Sequence, residues 1–218
     1  MMKSDKRTVI FTSLLCLLPM VFSVVVYQSL PAQIAIHWNI EGVPDNYASR
    51  AVAAFGLPVL FLVIHLFTVL LLLNDPKREV GPQTLRLLGI WIIPGLSVVL
   101  IPVTLLIAMG TNIPIAMLVT LMVGVLLVVI GNYLPKSRQN YTVGIKLPWT
   151  LSSEDNWNKT HRFAGYLWVL GGLLMIVGSF LLHNDAANFS LIIGIVAVLA
   201  IFPAVYSFFL YHRRNGKI

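Results

Sequence analysis

Long apolar runs, broken by short polar ones, organise this chain. Six stretches, at 9–27, 52–73, 87–109, 114–134, 163–182 and 189–211, contain no Asp, Glu, Lys or Arg. About 20 helical residues cross a hydrocarbon core of ~30 Å. Each run is too long and too evenly apolar for the one-sided stripe of a soluble amphipathic helix. The pattern predicts an all-α, polytopic bundle of six transmembrane helices. Pro58, Pro94, Pro102 and Pro203 fall inside the runs and predict kinks. Gly124 and Gly131 in the fourth run are seven apart, as are Gly171 and Gly178 in the fifth. Seven residues is nearly two turns, so each pair shares a face on which helices can approach closely.

Two of the connecting stretches have a pattern of their own. The first, 28–51, reads "QSLPAQIAIHWNIEGVPDNYASR" from Gln28. Ile34, Ile36, Trp38 and Ile40 alternate there with Ala35, His37 and Asn39. A period of two predicts an extended, strand-like piece whose apolar face packs on the ends of the spans or at the headgroups. Gly42, Pro44, Asp45 and Asn46 supply turn chemistry. The second stretch is "NYTVGIKLPWTLSSEDNWNKTHRFAG", 140–165. Gly144 and Pro148 predict irregular backbone up to Leu151. Ser152, three before Asp155, resembles a capping box, so a helix starts near Ser153 and runs into the fifth span. On that helix Trp157, His161, Ala164 and Trp168 share a face, while Lys159 and Arg162 point elsewhere. The stretches divide the chain into a two-span unit, 1–73, and a four-span unit, 74–218.

Composition agrees with lipid as the solvent. The 218 residues are 58% hydrophobic and 11% charged, whereas a soluble domain has about 45–50% and about 25%. The net charge of +7 would suit a nucleic-acid partner, but the basic residues lie between apolar runs rather than on one face. With the N-terminus placed in the cytoplasm, fourteen of the Lys and Arg fall inside and only Arg50 outside. Lys77, Arg78, Arg86, Lys136, Arg138 and Lys217 are among the fourteen. That asymmetry predicts that both termini are cytoplasmic. The first run is long for a signal-peptide core and no A-x-A site follows it, so it reads as an uncleaved span. Cys16 is the sole cysteine, which excludes an intrachain disulfide and a cysteine zinc cluster.

Catalytic motifs are missing as well. No HExxH, GxSxG or Walker A pattern occurs, and none of the eight acidic residues lies in a span. A dyad would have to come from the loops, with His37 and Asp45 the nearest pair. The chain reads as a non-enzyme without cofactor or metal. His65 is the lone histidine inside a span and Asn132 lies near the inner end of the fourth. An intramembrane ionisable group is a functional candidate by default, although a neutral His also simply bonds a neighbouring helix. Asn132 reads as a helix–helix hydrogen-bonding group.

The two polar stretches carry a family resemblance. "LPAQIAIHWNIEGVPDNYASR" resembles the LP-x-x-IP-x-HWN-x-x-G-x-PD signature of a bacterial membrane domain of unassigned function. "NYTVGIKLPWTLSSEDNWNKTHRFAG" resembles the N-x-x-x-GIRTPWTL…W-x-x-THR-x-x-G signature of the SdpI family. Ala35 departs from a frequent Pro, and Lys146-Leu147 from Arg-Thr. A Lys is a point charge where Arg is a fork, which weakens any bidentate contact to an acidic partner.

The resemblance implies a bacterial plasma-membrane immunity protein whose partner is a secreted toxic peptide. It also implies a receptor role in which a cytosolic transcriptional repressor is held at the membrane. On that reading His37, Trp38, Asn39 and Asp45 are candidates to meet the toxin outside, the alternative being that they cap and pack their loop. Trp149, Thr150, Trp157, Thr160, His161 and Arg162 are candidates for the cytosolic partner. The alternative is an interfacial anchor, with Trp at the headgroups and Lys and Arg reaching lipid phosphates. A different function class, a small-molecule or ion transporter, would have to use His65, Asn132 and scattered hydroxyls.

Overall fold

The computed structural model describes residues 3–76 and 83–214. Lys77, Arg78 and Lys217, counted above among the basic flanks, lie outside the described residues. Among the described residues six helices are long and apolar enough to cross a membrane: Lys6–Ser29, Val52–Leu73, Thr84–Ala108, Ile115–Lys136, Glu154–Leu181 and Asp185–Arg213. All six predicted spans are therefore present. Their outward faces carry large apolar side chains, with Val25 at 78% and Leu181 at 69% exposure. Such continuous apolar surface is stable only against lipid.

The first span is built from α1 (Lys3–Leu17) and α2 (Pro19–Val26). Pro19 has no N–H to continue the ladder, and Leu18 N–H turns back to Leu15 O instead. A hairpin follows, β1 (Gln33–Trp38) against β2 (Pro44–Ser49), antiparallel, with Ile34 opposite Ala48. The second span opens with one π-helical stretch, Val52–Gly56, and continues as α3 (Leu57–Leu73). Pro58 lies inside this continuous helix directly after the π stretch, so its missing N–H falls where the α-helical ladder is already interrupted. The third span is α4 (Gln83–Ala108), with Pro94 and Pro102 inside it. The remaining spans are α5 (Ile115–Tyr133), α7 (Glu154–Leu181) and α8 (Asp185–Arg214), with a single turn, α6 (Pro148–Leu151), between α5 and α7.

The chain forms two compact units, residues 1–73 with 87–114, and residues 74–86 with 115–218. In the first, Ile34 is 1% exposed in one cluster with Leu30, Ala53, Ala54, Ile101 and Leu105, and Ile36 packs against it. The predicted apolar face of the hairpin thus seats on the span ends, as far as Ile36. Beyond it, shifts in register on either side of His37 break the alternation, and Ile40 is exposed. Polar stitches join the apolar helices. Ser97 Oγ donates to Cys16 O at 2.9 Å, and Thr12 Oγ lies 3.0 Å from His65 Nε2.

In the second unit α7 packs between α5 and α8. A Cβ on Gly124 would come within 2.8 Å of Gly172 O, and one on Gly131 within 2.8 Å of Val169 N. Both predicted glycines of α5 thus face α7 backbone. Gly171 and Gly178 face α8 instead, through Ile195 and Leu191. The α7 glycines that meet α5 are Gly165 and Gly172, on a face turned about 100° from that of the predicted pair.

Candidate functional site

In the hairpin, the bulged register brings His37 Nδ1 to 2.5 Å from Asp45 Oδ1. The pair is open to solvent, with the side chains 66% and 43% exposed. Asn39 does different work. Its Oδ1 accepts from Glu41 N at 3.0 Å and Val43 N at 2.9 Å, which builds the turn. Trp38 is half-buried opposite Pro44. Of the four hairpin candidates, the structure brings His37 and Asp45 together on an exposed face and assigns Asn39 to loop geometry.

The second stretch, from Ser137 to the start of α7, is a clamp of side chain to backbone bonds. Asn140 Oδ1 accepts from Thr142 N and Val143 N, and its Nδ2 donates to Val143 O. Gln139 Nε2 donates to Thr150 O and Leu151 O. Thr150 Oγ accepts from Leu147 N at 2.9 Å and donates to Ile145 O at 2.8 Å, closing the turn into α6. Asp75, from the α3–α4 connection, accepts from Tyr141 N at 3.0 Å and from the Thr142 hydroxyl.

The α7 end of the clamp is a stacked pair. The Trp157 and His161 rings lie 3.9 Å apart at 20°. Ile145 N donates to His161 Nε2 at 2.9 Å, so that nitrogen carries the lone pair. His161 Nδ1 must then hold the proton, which it donates to Trp157 O at 2.8 Å. The ring is a neutral tautomer with both nitrogens satisfied. Trp157 Nε1 donates to Ser137 O at 2.8 Å. Gly144 lies flat on this pair at φ +129°, where an added Cβ would stand 2.5 Å from His161 Nε2.

Helix α7 begins with Ser153 as its cap, accepting from Asn156 N at 3.3 Å. Ser152 ends α6 instead, so the cap is one residue later than the Ser152–Asp155 spacing suggested. Asp155 pairs with Lys159 at 2.9 Å one turn on. Asn156 ties α7 to α8 through Ser207 O at 2.9 Å and accepts from Thr160 Oγ at 3.0 Å. Trp149 Nε1 donates to Ser207 Oγ at 2.7 Å, and its ring meets Phe208 edge-on at 5.4 Å. Among the six candidates here, Thr150, Trp157, Thr160 and His161 are fully buried, Trp149 is half-buried, and Arg162 is exposed.

His65 is fully buried on α3, bonded to Thr12 of α1, with no partner for Nδ1 among the described residues. Asn132 is exposed and bonds no other helix among the described residues. The expected helix–helix role fails because Gly131 occupies the face toward α7, and Asn132 is turned 100° from it. Sequence reasoning missed Asp75, Gln139 and Ser207. Asp75 lies 66 positions from Tyr141, and no local pattern signals such a contact.

A bundle of six apolar helices with one extramembrane hairpin and one internally bonded loop is a multi-pass membrane protein. The loop with α7 and most of α8, residues 136–207, matches the SdpI/YfhL protein family. Residues 14–62, which include the hairpin, match a domain of unknown function, DUF1648. A curated relative, "Immunity protein SdpI" of Bacillus subtilis (strain 168), is 29% identical over 214 residues, 97% of this chain and 99% of that protein. The chain thus carries a segment similar to the SdpI family and, before it, one similar to the DUF1648 domain. No solved structure matches it.

Proposed function

We propose that this chain is a membrane immunity protein, protecting the cell that carries it from a secreted toxic peptide. The observation that supports this best is the end-to-end similarity to an immunity protein, at 29% identity over 97% of the chain. That similarity takes in both the hairpin and the clamped loop. The reading is non-enzymatic. Protection comes from a side-chain surface and a bundle, with His37 and Asp45 as the exposed polar pair that a peptide meets first.

The hairpin lies between the first and second spans and the clamped loop between the fourth and fifth, so three crossings separate them. An odd number of crossings supports opposite sides of the membrane for the two, and the charge asymmetry favours the cytoplasm for the clamped loop. If the protein also signals to a cytosolic repressor, toxin has to favour one of two conformations, since equal affinity for both shifts nothing. Arg162, on the exposed face of α7, is then a contact residue, whereas Trp157 and His161 act by holding the loop.

The test is survival. A toxin-sensitive strain expressing the chain is challenged with secreted peptide, with membrane expression confirmed. Protection is expected. His37→Ala should weaken it at unchanged protein level, and Arg162→Ala should leave it intact while altering repressor localisation. Killing as in the empty strain would reject immunity against that peptide.

A further inference from the structure

On the second unit, a cavity of about 690 Å³ opens between the start of α7 and the end of α8. Its wall includes Ser152, Asp155, Asn156 and Lys159 from one side and Tyr211 and Arg213 from the other. Two cations face one carboxylate there. Asp155 is held by Lys159 at 2.9 Å, whereas Arg213 has no ionic partner among the described residues. The Tyr211 hydroxyl adds a hydrogen-bonding group to the same wall, while the Ser152 hydroxyl and the Asn156 side chain are bonded within the protein.

Its depth in the membrane follows from the exposed faces of the two helices. On α7, Leu170, Leu173, Leu174 and Val177 are exposed and apolar, as lipid-facing residues are. One turn before them comes exposed Tyr166, then Arg162, then Lys159 and Asp155. On α8, exposed Phe208 and Phe209 precede Tyr211 and Arg213. Both helices thus pass from apolar to aromatic to charged at the level of the cavity, which is the order met at a headgroup layer.

We propose that this cavity binds the phosphate headgroup of an anionic phospholipid. Arg213 supplies the bidentate fork suited to a phosphate, and Lys159 a second charge once it leaves Asp155. The acyl chains would lie along the apolar outer face of the bundle. The chemistry is that of any phosphomonoester or phosphodiester. The lipid is favoured because the cavity opens where both spans reach the headgroups.

The experiment offers purified full-length protein equal amounts of phosphatidylglycerol and phosphatidylcholine with identical acyl chains. Native mass spectrometry then counts retained lipid. About fivefold preference for phosphatidylglycerol or more is expected, since Lys159 and Arg213 against Asp155 leave one net positive charge in the cavity wall, and one charge at the headgroups contributes roughly that factor. Lys159→Gln with Arg213→Gln should bring the ratio near parity. Asp155→Asn should raise it, because Lys159 is released and the local carboxylate is gone. Arg162→Gln, on the same helix but outside the cavity wall, should keep the wild-type ratio and thus report on general surface charge. Parity in the unaltered protein would overturn the proposal, as would an equal loss in Arg162→Gln. Displacement of the lipid by millimolar glycerol 3-phosphate, or by an acidic peptide, would reassign the cavity to a soluble phosphoester or a protein segment and overturn it too.

Discussion

Gly144 holds a backbone conformation that L side chains rarely adopt, and it does so against the stacked Trp157 and His161 rings. An alanine there meets both obstacles at once. Gly144→Ala should destabilise the protein by roughly 2–3 kcal/mol, the upper part of the ordinary range, read as a lower Tm of the detergent-solubilised protein. Asn132→Ala, exposed and unbonded, is the matched control and should leave Tm unchanged. An unchanged Tm in Gly144→Ala would mean that the loop does not rest on those rings. His65 makes a different case. Its bond to Thr12 is one interhelical hydrogen bond in lipid, worth about 0.6 kcal/mol on average and up to about 1.7. His65→Leu should cost no more than that in unfolding measurements and should keep toxin protection. Lost protection at normal expression would give His65 a role beyond packing. Gly144 and His161 were both visible in the sequence as unusual residues in an apolar chain. That they touch was not, because the contact spans 16 positions between Ile145 and His161 and depends on an irregular loop.

Helix packing is where sequence spacing was most and least informative. The seven-residue spacing of Gly124 and Gly131 correctly marked a contact face on α5. On α7 the adjacent residues Gly171 and Gly172 face different helices, Leu199 and Ile195 of α8 for the first and Gly124 of α5 for the second. A spacing rule finds a small-residue face but not its partner, because the partner is set by where the other helices lie. The consequence is testable. A Cβ at Gly172 would stand 2.5 Å from Gly124 O, and backbone cannot swing aside as a side chain can. Gly172→Ala should therefore push α5 and α7 apart and lower Tm by several degrees. Gly194→Ala on α8 meets nothing within 4 Å, so it should be neutral or gain up to ~1 kcal/mol from the better helix former. Equal effects of the two changes would argue against close α5–α7 contact.

The whole-molecule reading depends on sidedness. Span count was fully legible, since six apolar runs have no other stable home, and the spans found differ from those expected only at their ends. Sidedness rests on the Lys and Arg balance, fourteen against one, which biases insertion without bonding anything. The hairpin and the clamped loop each supply an exposed position for labelling. In a Cys16→Ser background, Glu41→Cys marks the hairpin turn and Lys146→Cys the clamped loop, both exposed. Cys16 itself is buried, so its removal clears the background at small cost to the surface. A membrane-impermeant maleimide should label Glu41→Cys in intact cells and Lys146→Cys only after permeabilisation. The reverse pattern would turn the protein over and leave His37 and Asp45 facing the cytosol, away from any secreted peptide. Labelling of both in intact cells would require an even number of crossings between them, against the three that the helices supply. Either result would remove the hairpin as the place where toxin is met, whatever the survival assay shows.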